Sequence, residues 1–218
     1  MFYKARFLNL IHNFLIFDKG QKKVCRYNQY YGIMRAQKRL LSGKGGIIWH
    51  TQGSGKTALA YHNVRYLRDY YQKQGKVAKF FFIVDRLDLL TQAGEEFTAR
   101  GLHVEKVNSK EEFIKNIRTI GAANNSGEDS ITVVNIQKFS MESIVRKADY
   151  DVSVQRIYFM DEAHRSYNPK GSFLANLMAS DRDAIMIALT GTPLIGDGYN
   201  SKDVFCDYIH KYYYNRSI

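Results

Sequence analysis

Short apolar runs, each about as long as one buried strand, recur along the chain between segments with helical periodicity. Five runs predict strands at residues 46–49, 79–84, 130–135, 156–160 and 184–189, and residues 103–106 predict a shorter one. Strands that alternate with helices are typical of parallel sheets with crossover helices. The pattern therefore predicts an α/β fold of three layers, with a mostly parallel sheet and helices on both faces.

The first apolar segment, residues 7–17, predicts an amphipathic helix. Phe7, Ile11 and Phe14 fall on one face at helical spacing, and no small-residue cleavage site follows that would indicate a signal peptide. Further along, Ser109 and Glu112 have the spacing of a capping box, which predicts the start of another helix. No apolar run approaches the length of a membrane span, so we expect no membrane partner.

The charge of the chain changes the picture, because it indicates a polyanionic partner. Thirty-two Lys and Arg residues oppose 21 Asp and Glu residues, which leaves a net charge of +11. Such an excess favours binding to phosphate backbones, although charge alone does not choose among DNA, RNA and an acidic protein. The two cysteines lie far apart and outside any metal-ligand spacing, so a reducing, cytoplasmic setting is expected.

A glycine-rich turn follows the first predicted strand and predicts an ATP-binding loop. Gly53 and Gly55 allow successive backbone N–H groups to point inward around a phosphate. Lys56 would reach the terminal phosphates, and the Thr57 hydroxyl would bind Mg²⁺. His50 stands where the strict pattern has Gly, but the strand-turn-helix context supports the loop. The residues predicted to bind the nucleotide here are Gln52, Gly53, Ser54, Gly55, Lys56 and Thr57.

Two carboxylates follow the strand predicted at residues 156–160. They should face the same edge of the sheet as the phosphate loop, because the carboxyl ends of parallel strands share one edge. Asp161 would hold Mg²⁺, and Glu162 would orient and deprotonate the water that attacks the γ-phosphate. His164 is too close to ignore, yet a lone His there more often links strand ends than does chemistry. The alternative is an acidic turn on a basic protein.

The ordered motifs resemble those of superfamily 2 helicases and translocases, and within them the R subunit, the motor and nuclease subunit, of type I restriction enzymes. The stretches that carry this resemblance are residues 26–31, 49–57, 82–89, 135–139, 161–166, 190–193 and 205–212. The restriction family similarly carries His at position 50. The resemblance implies a RecA-like, P-loop NTPase motor domain that uses ATP and Mg²⁺. It also implies duplex DNA and the modification and specificity subunits as partners.

The resemblance also assigns roles that the residues alone do not. It implies that Gln29 recognises adenine, that Thr190 and Thr192 couple the nucleotide state to DNA movement, and that Arg86 and Lys138 approach the DNA backbone. By composition these would be a surface amide, an ordinary turn and two solvated charges.

We expect three segments along the chain. Residues 1–40 would be a helical segment with the adenine motif, 41–204 the first motor domain, and 205–218 the start of a connection to a second motor domain. No Glu-x-Lys nuclease signature occurs in the sequence, so we expect no DNA cleavage by this chain itself. We also expect its ATPase activity to be weak without the arginine finger of the second domain. Two alternatives remain, a stand-alone superfamily 2 DNA or RNA helicase domain and a nucleotide-gated DNA-binding module without turnover.

Overall fold

The computed structural model describes residues 3–118, 129–136, 151, 153–162, 173–193 and 201–213. Within them the helices are α1 (Lys4–Phe14), α2 (Tyr27–Leu41), α3 (Lys56–Gln72), α4 (Leu87–Ala99), α5 (Lys110–Arg118), α6 (Phe173–Ser180) and α7 (Ser201–Phe205). The strands are β1 (Leu15–Asp18), β2 (Gln21–Val24), β3 (Gly46–His50), β4 (Val77–Val84), β5 (His103–Val107), β6 (Ser130–Asn135), β7 (Val154–Asp161), β8 (Ile185–Thr190) and β9 (Tyr208–Tyr212).

Seven of these strands form one sheet, in the order β5-β6-β4-β7-β8-β3-β9. Every pairing between neighbours in this sheet is parallel. The six strands predicted from apolar runs are present, and their ends lie within two residues of the predicted positions. The predicted fold class is therefore confirmed.

Helices cover both faces of the sheet and enclose two apolar cores. The larger core lies between the sheet and helices α2, α3 and α4, where the buried side chains include Leu59 and Phe97. The smaller core lies on the other face, where Phe113 of α5, Leu177 of α6 and Phe205 of α7 pack on strand residues. Alternate residues of β3 face opposite cores, Ile47 toward the smaller and Ile48 toward the larger, because successive strand side chains point to opposite faces. The result is three layers.

The amino-terminal segment differs from its prediction. Helix α1 ends at Phe14, three residues before the predicted end, and Leu15–Asp18 instead pairs with Gln21–Val24 as an antiparallel hairpin. The turn between these strands contains Lys19 and Gly20, both at positive φ, a conformation that Gly adopts at little cost. The apolar positions from Phe7 to Phe14 fit a helix, whereas residues 15–17 form part of strand β1.

The segment that starts at residue 205, predicted as the start of a connection, contains a strand that the sequence pattern did not predict. Tyr208–Tyr212 forms β9, which pairs with β3 at the edge of the main sheet. The division of the chain into three segments remains a prediction, but these five residues belong to the main sheet.

Smaller features agree with the sequence where they can be compared. The N–H of Glu112 donates to the Ser109 hydroxyl at 3.2 Å, so Ser109 caps the helix as predicted. The Glu112 carboxylate accepts from the N–H of Asn108, one residue before the position that a capping box requires. The predicted loop at 121–130 falls almost wholly outside the described residues. Among the residues that are described, no helix has the length and apolarity needed to cross a bilayer.

Candidate active site at the carboxyl edge of the sheet

Three chemically distinctive segments meet at one edge of the sheet because their strands are parallel and close together. The phosphate loop leaves β3 after His50, the carboxylate pair stands at the end of β7, and the turn at 190–193 leaves β8. Strand β8 lies between the other two and pairs with both. The crevice outside the carboxyl ends of parallel strands is where ligands bind in open α/β sheets.

The phosphate loop has the backbone form that its glycines require. Gly53 and Gly55 have φ values of 75° and 81°, and helix α3 begins at the next residue, Lys56. The positive φ of Gly55 disfavours any side chain there, and a Cβ atom would also displace the amide nitrogen of Gln29. The amino terminus of α3, with the positive end of its dipole, therefore directly follows the loop.

Lys56 of the phosphate loop forms an ion pair with Glu162 at the end of β7. The Lys56 Nζ atom lies 3.3 Å from Glu162 Oε1, and the lysine side chain is only 9% exposed. The structure thus joins the two motifs that the sequence predicted to face each other. Glu162 has φ of 47°, a left-handed conformation that is uncommon for a residue other than glycine. Strain of this kind is often found at functional sites.

Asp161 is a carboxylate with a buried oxygen that is available to bind a cation. Its Oδ1 atom is buried and has no hydrogen-bond partner among the described residues. Burial raises the pKa of Asp161 to about 6, although the Lys56 ammonium acts in the opposite direction. Within the described residues, no three His, Cys, Asp or Glu side chains converge as a metal cluster. Mg²⁺ commonly takes one or two protein oxygens together with water and substrate phosphates, so Asp161 and the partly exposed Thr57 at the start of α3 fit this ion.

Gln29 lies against the phosphate loop rather than on the surface. Its Nε2 donates to the carbonyl oxygens of Ser54 and Gly55 at 3.2 and 3.3 Å. Its Oε1 accepts from the N–H of Arg26 at 2.8 Å. The side-chain amide therefore ties the start of α2 to the loop, and its contact with adenine remains a prediction. This loop-holding contact was not predicted, because no local pattern signals it.

The turn that follows β8 lies directly against the phosphate loop. The Cα of Gly191 faces backbone atoms of residues 50–52, close enough that a Cβ there would be in ordinary contact with them. The N–H of Thr192 donates to Thr190 Oγ1 at 3.1 Å, which shapes the turn. Thr190 is buried and Thr192 is exposed. Their predicted coupling role remains a prediction, but the turn has the position that such a role requires.

His50 links the loop to the edge strand β9. Its Nε2 lies 2.6 Å from Nδ1 of His210, and its ring is fully buried. Burial lowers the pKa of His50 to about 3, with His210 and Lys56 adding to the effect, so the imidazole is neutral at physiological pH. The sequence offered one signal for this partner, the alternation of Tyr208, His210 and Tyr212, which is typical of a strand.

The two predicted DNA contacts, Arg86 and Lys138, are not tested by the structure. Arg86 precedes α4 and is half exposed, with Asp88 3.6 Å away. Lys138 and His164 lie outside the described residues. The roles of all three remain predictions.

The phosphate loop, its lysine and the carboxylate pair define the class of the protein as a P-loop nucleotide-binding domain. The sequence profile described as SWI2/SNF2 ATPase matches residues 28–218. The chain therefore belongs to the SWI2/SNF2 ATPase family.

Curated relatives narrow the class further. The chain is 30% identical over 216 residues to a protein of Methanocaldococcus jannaschii that is assigned as the endonuclease subunit of the type I restriction enzyme MjaVIIIP, with 88% of this chain and 21% of that protein covered. It is 29% identical over 231 residues to the type I restriction enzyme HindI endonuclease subunit of Haemophilus influenzae, with 94% and 21% covered. The chain thus spans about a fifth of the length of these relatives. The resemblance drawn from the motifs is confirmed.

A solved structure supports the fold. A nuclease-deletion mutant of the Type ISP restriction-modification enzyme LlaGI, in complex with a DNA substrate mimic, superposes with a TM-score of 0.60 at 14% identity. The match covers 87% of this chain and 20% of that chain. At this level of identity the likeness shows the fold alone.

Proposed function

We propose that this chain is the first motor domain of the R subunit of a type I restriction enzyme, which binds and hydrolyses ATP to translocate duplex DNA before cleavage. The observation that carries the proposal is that Lys56, Glu162 and an Asp161 oxygen without a partner among the described residues meet at the mouth of a phosphate loop. The length and names of the relatives support the rest: modification and specificity subunits as partners, a cytoplasmic setting and the remaining domains of the motor.

The ion pair between Lys56 and Glu162 suggests how the site prepares for its substrate. Each side chain neutralises the other, because an unpaired charge in a partly buried position is costly. The triphosphate of ATP would replace Glu162 as the partner of Lys56. Glu162 would then be free to accept a proton from the attacking water, which is the task of a general base.

Asp161 and Thr57 would hold Mg²⁺, which when bound neutralises charge on the substrate phosphates. Gln29 would keep the loop closed around the phosphates through Ser54 and Gly55. The basic surface supplies sequence-independent affinity for the DNA backbone that should weaken steeply with salt.

Calorimetry with Mg-ATP tests the proposal. Lys56→Ala should weaken binding by about 1.5–3 kcal/mol, because it removes a charge-assisted contact to phosphate. Lys73→Ala is the matched control, since Lys73 is an exposed lysine just beyond the end of the same helix. Equal affinities for all three proteins would contradict the nucleotide site. Tight binding without turnover in the assembled motor would instead favour the nucleotide-gated binding module.

A further inference from the structure

The chain has a single tryptophan, and it lies where three parts of the site meet. Trp49 is the residue before His50 on β3, directly ahead of the phosphate loop. In the sheet it stands opposite Thr190 of β8 on one side and Lys211 of β9 on the other. Its position alone is that of an ordinary strand residue, but its side-chain contacts are more specific.

The indole N–H of Trp49 holds the turn that follows β8. Nε1 donates to the carbonyl oxygen of Gly191 at 3.0 Å. The same glycine lies against the backbone of residues 50–52. Gly191 therefore contacts both the loop and the indole, so a displacement of the loop would move the residue whose carbonyl oxygen accepts from Trp49.

The indole ring of Trp49 packs against aromatic residues at both ends of the edge strand β9. Tyr213 and Tyr208 lie with ring centroids 4.7 and 5.8 Å from that of Trp49, and we name these three residues the Trp49 cluster. The ammonium of Lys211 stands 4.1 Å from the centre of the Tyr208 ring. The N–H of Thr51, at the start of the loop, donates to the carbonyl oxygen of Tyr212 at 3.0 Å. The loop, the turn and the end of β9 are thus joined through neighbouring contacts.

We infer that Trp49 is a positioning residue that transmits the state of the phosphate loop to the turn at Thr190–Thr192 and to the end of β9. The inference rests on the proposed nucleotide site, and it adds the residue through which occupancy of that site reaches the rest of the domain. Trp49 acts through Gly191, whose carbonyl it orients.

Intrinsic fluorescence tests the inference without any mutation, because Trp49 is the sole indole. When the unaltered chain is titrated with Mg-ADP and excited beyond the tyrosine band, the emission should change. The change should saturate at the concentration at which calorimetry shows binding. Calorimetric binding with unchanged emission would overturn the inference and leave the proposed function intact. Absence of calorimetric binding would overturn both.

Hydrogen exchange of the amides at 190–192 separates transmission from simple packing. In the unaltered chain, Mg-ADP should change their exchange. Trp49→Phe keeps an aromatic ring but loses the N–H, so ADP should still bind, with affinity changed by less than about tenfold, the worth of one neutral hydrogen bond. The nucleotide-dependent change at 190–192 should be lost.

The matched control is Tyr66→Phe, which alters an exposed ring on α3 and should leave that change in place. If Trp49→Phe retains the full nucleotide-dependent change, the indole does not transmit the loop state and the inference is wrong.

Discussion

Buried charged groups are paired differently at the two ends of the parallel strands, which we call the amino edge and the carboxyl edge of the sheet. At the amino edge, Arg156 and Asp181 form a bidentate ion pair with distances of 2.6 and 3.0 Å and side-chain exposures of 3% and 1%. The Tyr158 hydroxyl donates to the same carboxylate, and the arginine donates further to the carbonyl oxygens of Asp151 and Val154. Both charged groups there are well supplied with hydrogen bonds.

At the carboxyl edge one charged group is left with an unsatisfied atom. Lys56 and Glu162 form an ion pair at 3.3 Å, but Oδ1 of Asp161 has no hydrogen-bond partner among the described residues. The backbone of Glu162 is in a left-handed conformation. The comparison indicates that a buried charge with a full set of hydrogen-bond partners stabilises the fold. A buried charge with an unsatisfied atom is available to bind a ligand.

The largest expected effect is on stability at the amino edge. Arg156→Met and Asp181→Leu should each lower the free energy of unfolding by about 3–5 kcal/mol, because each leaves an uncompensated buried charge. The double variant should lose less than the sum of the two, since it leaves no charge behind. Urea unfolding followed by circular dichroism measures this.

The control for that comparison is Arg86→Met, which breaks an exposed pair and should cost at most about 1 kcal/mol. If Arg156→Met costs no more than Arg86→Met, the amino edge does not depend on its buried pair.

The second effect concerns acid sensitivity at the carboxyl edge. The pKa of His50 falls from 6.5 to about 3 in the folded chain, mainly through burial, with His210 and Lys56 adding to the effect. As pH drops below 6.5 the unfolded chain takes up this proton first, so stability is full above that pH and is lost toward pH 3. Between about pH 7 and about pH 5 the loss from this group should be about 2 kcal/mol.

Urea midpoints at the two pH values measure the loss. His50→Gln should reduce the pH dependence and leave the part that comes from His62, whose pKa burial lowers to about 4. His103→Gln, which changes an exposed histidine at the start of β5, should keep it unchanged. Identical slopes in His50→Gln and the unaltered chain would show that another group carries the acid sensitivity.

A smaller effect is expected at Gln29. If its amide recognises adenine, Gln29→Ala should narrow the preference for ATP over GTP by about tenfold or less, since one buried polar partner is lost. Its hydrogen bonds to Ser54 and Gly55 predict a second result, weaker binding of both nucleotides. A competition assay separates the two. Equal weakening of ATP and GTP would leave Gln29 with the loop-holding role alone.

The central strands were predictable because they are buried on both faces. Continuous apolar runs such as Phe80–Val84 have no polar alternation, and their ends fall at turn or motif residues. The phosphate loop and the pair Asp161–Glu162 were predictable for a related reason. Their chemistry requires particular residue types directly after a strand, so the local sequence carries the signal.

The contacts that complete the site were not predictable from local pattern. The bond from Gln29 to the loop spans 25 positions, and that from Trp49 to Gly191 spans 142. Such pairs are set by the packing of separate elements, which leaves no periodicity in the sequence. Strand β9 was missed for a different reason, since its mixed aromatic and basic composition gives a weak apolar signal although its residues alternate.

The measurement that tests the account most directly is Mg-ATP binding and turnover in Glu162→Gln. If Glu162 pairs with Lys56 only while the site is empty, the variant should bind ATP as tightly as the unaltered chain or up to about tenfold more tightly, because a competitor for Lys56 is gone. Hydrolysis, measured in the assembled motor, should fall by about 10²–10⁴ because the general base is lost. Loss of ATP binding in the variant, or hydrolysis retained at the rate of the unaltered motor, would contradict the account.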